Sequence, residues 1–185
     1  AAKPLIISSL PFMLQIRPSQ DGDIAAITTI YAHHVLHGTG TFEIDPPTEA
    51  DMAQRRADVL ARGLPWLVAE RDGQVLGFAY ANWFKPRPAY RFTAEDSIYV
   101  ADTARGSGVG RALLQALVEQ AQADGLRKLI AVIGDSANAG SIGLHRALGF
   151  TEVGVLRAMG WKHGAWRDIV LMEKPLGAAD STAPE

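Results

Sequence analysis

The chain has 185 residues, 48% hydrophobic and 21% charged, a composition that fits one globular domain with a single core. Its formal net charge of −2 gives no electrostatic ground for nucleic acid or an anionic membrane as a partner. It has no cysteine, which excludes disulfides, thiolate metal centres and a Cys nucleophile and fits a reducing cytoplasm.

The apolar stretch from Leu5 to Leu14 is broken by Pro11 and is too short to cross a bilayer, which takes about 20 residues. Met13 is a candidate start, so residues 1–13 are set aside as an extension, 14–176 are read as one domain and 177–185 as a flexible tail. Leu14 to Arg17 reads as a first strand. Asp21 or Asp23 can cap a helix that carries Ile24, Ile27, Ile30, Tyr31 and Val35 at helical spacing. His33 and His37 lie one turn apart on it, either a metal pair or a polar helix end; no third ligand is marked, and no metal is expected. The glycine-flanked Phe42 is either a wall of a substrate pocket or a core residue. Thr48 caps a helix from Glu49 to Arg62, which Gly63 stops.

Trp66 to Glu70, the turn Asp72-Gly73 and Gln74 to Asn82 form a hairpin signal. The segment Trp83 to Phe92 follows, where Pro86 and Pro88 block ladder bonding and Lys85, Arg87 and Arg91 alternate with aromatics around Tyr90. Glu95 to Val100 is a strand that runs into Arg105-Gly106-Ser107-Gly108-Val109-Gly110-Arg111 and then a helical run from Ala112. A glycine-rich loop opening into a helix lets backbone N–H groups approach an anion closely, and the expected guest is a phosphate. The alternative is an ordinary strand-to-helix turn. Neither the Walker loop nor the dinucleotide fingerprint fits, because Gly110 is followed by Arg111 and Ala112. Leu129 to Ile133 is a buried strand, Asn138 to Ala147 a short helix, and Glu152 to Leu156 and Asp168 to Glu173 two closing strands. This alternation implies a mixed α/β sheet.

The pattern Arg/Gln-x-x-Gly-x-Gly/Ala, met by Arg105, Gly108 and Gly110, resembles the pyrophosphate motif with which the GNAT superfamily of N-acetyltransferases holds coenzyme A. Asn138 to Phe150 is similar to the other signature of that superfamily, with His145 where most members carry Tyr. The stretches Thr93-Ala94-Glu95, Ser97 to Val100, Leu144 to Phe150 and Gly160 to Asp168 look more narrowly like the phosphinothricin and methionine sulfoximine N-acetyltransferases. The resemblance implies a GNAT fold, a single mixed central sheet with a splayed strand pair and helices on both faces. It also implies acetyl-CoA as co-substrate, a small amino-acid-like amine as acceptor, and a homodimer. Ile98, Tyr99 and Val100 would hold the pantetheine arm, and Arg105, Gly106, Ser107, Gly108, Val109, Gly110 and Arg111 the pyrophosphate. Asn138 and Ser141 would add polar contacts, and His145 would lie near the thiol.

Acetyl transfer to an amine needs a base, because a free ammonium is mostly protonated near neutral pH. Glu95 is the candidate; its plain alternative is a salt bridge to Arg87 or Arg91. A free N–H on the Ile98 to Val100 strand can meet the developing oxyanion. His145 can assist the departing thiol. Lys85, Arg87, Tyr90 and Arg91, with Phe42, are the expected acceptor pocket, since guanidinium forks match carboxylate or phosphinate oxygens. Two rivals remain, an enzyme acting on a protein N-terminus or a polyamine, and a CoA-binding module without chemistry.

Overall fold

The structure, a computed structural model, describes residues 13–184. Most of the apolar stretch and of the extension read from the sequence therefore lies outside the described residues. One seven-stranded sheet has the order β1-β2-β3-β4-β5-β7-β6. Its strands are β1 (Gln15–Pro18), β2 (Trp66–Arg71), β3 (Gln74–Trp83), β4 (Thr93–Val100), β5 (Lys128–Gly134), β6 (Thr151–Lys162) and β7 (Ala165–Pro175). Neighbours are antiparallel except β4 and β5, which are parallel. A parallel pair needs a crossover, and α3 (Val109–Ala123) supplies it. The other helices are α1 (Ile24–His37), α2 (Glu49–Ala61) and α4 (Ala139–Ala147).

The helices divide between the two faces because side chains alternate along the strands. On one face Tyr80 stacks on Trp66 at 4.1 Å and Tyr99 meets Tyr31 of α1 edge-on at 4.9 Å. On the other, Gly77 lets α3 approach: a Cβ there would stand 3.0 Å from Leu113. Helix α3 buries Val109, Leu113, Leu114, Leu117, Val118 and Ala121, a stripe at helical spacing. The residues buried on α1 are Ile24, Ile27, Ile30, Tyr31 and Val35, the five that the periodicity marks. Thr48 closes a reciprocal cap on α2, accepting from the Asp51 N–H at 3.1 Å while Asp51 accepts from the Thr48 N–H at 2.9 Å.

The closing strands are longer than expected. Strand β6 runs on to Lys162 and β7 begins at Ala165, so 157–167, which lie between the two strands expected from the sequence, form the end of a hairpin. The reason is that β6 is an edge strand with mostly exposed residues and a register break between Leu156 and Gly160, so it lacks the period-2 burial that marks a strand. After β7 the chain turns back, with the Gly177 N–H on Gln122 at 3.2 Å and Arg127 donating to the Ala179 carbonyl at 3.1 Å.

Candidate active site

The parallel pairing of β4 and β5 runs only from Thr93 opposite Lys128 to Asp96 opposite Ala131. Beyond that rung the strands separate. Main-chain groups alternate between the two edges of a strand. The Thr93 carbonyl and the Ala101 N–H bond on the β3 side, whereas the Phe92 carbonyl accepts from Arg127 on the β5 side. By this alternation Ile98 and Val100 turn their N–H and C=O groups into the gap. The Val100 carbonyl accepts from His34 Nε2 at 2.8 Å; the Ile98 N–H and C=O and the Val100 N–H face a cleft of about 980 Å³.

At one end of the cleft is the glycine loop. Gly106 and Gly108 have φ of +72° and +85°, and a Cβ on either would touch nothing, so conformation rather than space requires glycine there. The first α3 bond runs from the Ala112 N–H to the Gly108 carbonyl at 3.0 Å, which leaves the N–H groups of Val109, Gly110 and Arg111 open at the positive end of a 15-residue helix. Arg105, Gly106, Gly108, Gly110 and Arg111 line the cleft. Ser107 and Val109 do not; Ser107 donates to the Ala104 carbonyl at 2.6 Å and the Val109 side chain is in the core. On the facing wall Asn138 caps α4, accepting from the Ser141 N–H at 3.2 Å and donating to the Gly134 carbonyl at 3.0 Å.

Two adjacent carboxylates stand where the strands part, on opposite faces of β4. Glu95 is half-buried, and its pKa is raised by burial first and the Asp96 charge second, with Lys85 partly offsetting both. Asp96, which the sequence reading passed over, is almost wholly buried with His145, its Oδ2 2.8 Å from His145 Nε2. Nδ1 of His145 lies 2.8 Å from the Ser141 carbonyl. Both ring nitrogens thus face acceptors, and an imidazole can satisfy two acceptors only by carrying two protons. Burial opposes that charge, but the Asp96 hydrogen bond and charge and the Ser141 carbonyl outweigh it and raise the His145 pKa. His145 thus reaches the cleft wall with both ring nitrogens already engaged, Nε2 by Asp96 and Nδ1 by Ser141, and neither is free to serve a thiol.

Phe42, Thr41 and Tyr80 line the same cleft as Glu95. Burial pushes the Tyr80 hydroxyl upward, so it stays protonated as a donor. The cationic loop lies outside the cleft, although the charge of Lys85 is felt at Glu95. Lys85, Arg87, Tyr90 and Arg91 are exposed and do not line the cleft of a single chain. Arg91 lies 4.3 Å over the Phe92 ring and bonds the Pro88 carbonyl at 3.2 Å. Neither Arg87 nor Arg91 is within ion-pair distance of Glu95 among the described residues, so the plain alternative for Glu95 is not the arrangement found. His33 and His37 stand with ring centroids 4.8 Å apart.

Residues 27–150 match the model of the acetyltransferase (GNAT) family. The phosphinothricin N-acetyltransferase of Alcaligenes faecalis is 54% identical over 92% of this chain and 86% of that protein. The L-methionine sulfoximine/L-methionine sulfone acetyltransferase of Pseudomonas aeruginosa is 44% identical over 85% of this chain and 92% of its own length. A crystal structure of a phosphinothricin acetyltransferase from Sinorhizobium meliloti, in complex with acetyl-CoA, superposes with a TM-score of 0.90 at 46% identity and 93% coverage of both chains.

Proposed function

The chain belongs to the GNAT family of acetyltransferases, and from that premise we propose that it moves the acetyl group of acetyl-CoA onto the α-amine of a small amino-acid-like acceptor of the phosphinothricin or methionine sulfoximine kind. The observation that carries this reading is Glu95, a half-buried carboxylate with raised pKa at the fork of a splayed strand pair whose far end is an anion-ready helix terminus.

The open N–H groups of Val109 to Arg111 suit the pyrophosphate, with Arg105 and Arg111 beside it. From Val100 back to Asp96 the strand rises roughly 13 Å, at about 3.3 Å per residue, so an arm lying along it ends near Glu95. Glu95 accepts the proton of the acceptor's ammonium, directly or through a water, and the free amine attacks the thioester carbonyl. The Ile98 or Val100 N–H meets the oxyanion. The CoA thiol, with a pKa of about 8.5, leaves readily. His145 contributes a fixed charge paired with Asp96, and Asn138 and Ser141 shape the wall. Direct attack within a ternary complex is the simplest scheme, since the chain has no Cys to carry an acyl group. The residues 14–176 act as one domain. A homodimer fits the exposed Trp161, Trp166, Met159 and Val153, and would let Lys85, Arg87, Tyr90 and Arg91 meet a neighbouring site. A cytoplasmic enzyme without nucleic-acid or membrane partners fits the composition.

The test is kcat/KM by thiol release across phosphinothricin, methionine sulfoximine, an alanyl peptide and spermidine. The first two are expected to exceed the others by at least about tenfold, the worth of one charge-assisted contact. Equal rates throughout would contradict the acceptor assignment. Gly108→Val would hold a β-branched residue at φ +85°, a strain of roughly 1–2 kcal/mol that the loop relieves by moving its N–H groups. Calorimetry should show CoA affinity reduced about tenfold in a folded variant; unchanged affinity would detach this loop from the pyrophosphate.

A further inference from the structure

The stretch Gly160-Trp161-Lys162-His163-Gly164 takes no part in that transfer scheme, yet it holds a buried cation. Lys162 is 3% exposed, with no carboxylate within ion-pair distance among the described residues, and its Nζ donates to the Thr41 carbonyl at 2.7 Å. Burying an ammonium is unfavourable unless the contact it makes is needed. The contact joins the β6–β7 turn to the segment after α1, residues 38–48, which has no regular structure of its own to fix its position.

Two further features hold the same segment. The Phe42 ring lies in a slot between Gly134 and Gly160: a Cβ on Gly160 would stand 2.5 Å from Phe42 Cδ2, and one on Gly134 would stand 2.6 Å from Phe42 Cε1. Tyr31 and Thr41 share a buried hydroxyl hydrogen bond of 2.8 Å from the α1 side. Thr41 and Phe42 line the same cleft as Glu95, the proposed base for the acceptor amine.

We propose that Lys162 is a positioning residue for acceptor specificity, pinning Thr41 so that Phe42, seated on two glycines, forms the acceptor-side wall. This rests on the acetyltransferase reading given above. Position 160 is glycine because the aromatic ring occupies the space a side chain would take. The β6–β7 turn therefore sets how large and how apolar an acceptor the pocket takes, without touching the acceptor itself.

The test uses Lys162→Met, which keeps the aliphatic stem and removes the donor, and Gly160→Ala, which displaces Phe42 and leaves Lys162 intact. Both are expected to raise the acceptor KM at least about tenfold with kcat and CoA affinity within about threefold, and to speed amide exchange in residues 39–43 by at least about tenfold. Unchanged exchange in that segment, or faster exchange with an unaltered acceptor KM, overturns the proposal. So does a parallel loss of CoA affinity, which would mean general loosening. If Lys162→Met does not fold, Gly160→Ala decides by the same readouts. A wild-type protein that acetylates no acceptor refutes the acetyltransferase reading, and exchange alone then decides whether Lys162 holds the segment.

Discussion

Glu95→Gln is expected to lower kcat by about 10²-fold or more, the usual scale for losing a general base, while CoA affinity is unchanged. The amide keeps the shape and cannot take a proton. The wild-type kcat/KM should also fall toward acid on a limb lying above the ordinary Glu pKa of 4.5, because burial and the Asp96 charge raise the value in the folded protein. The variant should lack that limb. A loss confined to the acceptor KM, with kcat retained, would make Glu95 a binding group for the ammonium. The contrast with His145 is physical: Glu95 is half-buried with no hydrogen-bond partner among the described residues, whereas both nitrogens of His145 are engaged.

His145→Ala is expected to destabilise the fold by about 3–5 kcal/mol, because it leaves the Asp96 carboxylate buried without its partner and with Oδ1 already unpaired. At roughly 2–4 °C per kcal/mol for a chain of this size, the Tm should fall by about 6–20 °C. The pH dependence has a definite sign. The folded-state pKa of His145 is raised, so its contribution is complete below the unfolded value near 6.5 and is lost as pH rises through the folded value. The gap between wild type and variant should accordingly narrow on going alkaline. A loss below about 1 kcal/mol at pH 6, measured by urea unfolding, would show that the ring is not clamped.

Much of this arrangement is legible before folding is considered, and the rest is not for identifiable reasons. Helix α1 is readable because five apolar residues keep one period. The glycine loop is readable because the φ values at Gly106 and Gly108 strongly favour glycine. Asp96 was within reach: consecutive acids on a strand point to opposite faces, so a carboxylate beside Glu95 had to meet whatever packs on the other side. Lys162 was not, because Lys is almost never fully buried and nothing local marks the exception. The loop from Lys85 to Arg91 is readable as irregular, but its prolines say only where it cannot pair, and its reach depends on packing that no local pattern encodes.

In the proposed reaction acetyl passes directly from CoA to an amine across the splayed strands. Thiol release from acetyl-CoA, followed in one stopped-flow trace with and without the proposed amino-acid acceptor, tests it most directly. Release is expected only when the amine is present, in step with acetylated product and with no burst in its absence. A burst of one thiol per chain without acceptor, or release at the same rate whether or not the amine is added, would contradict it.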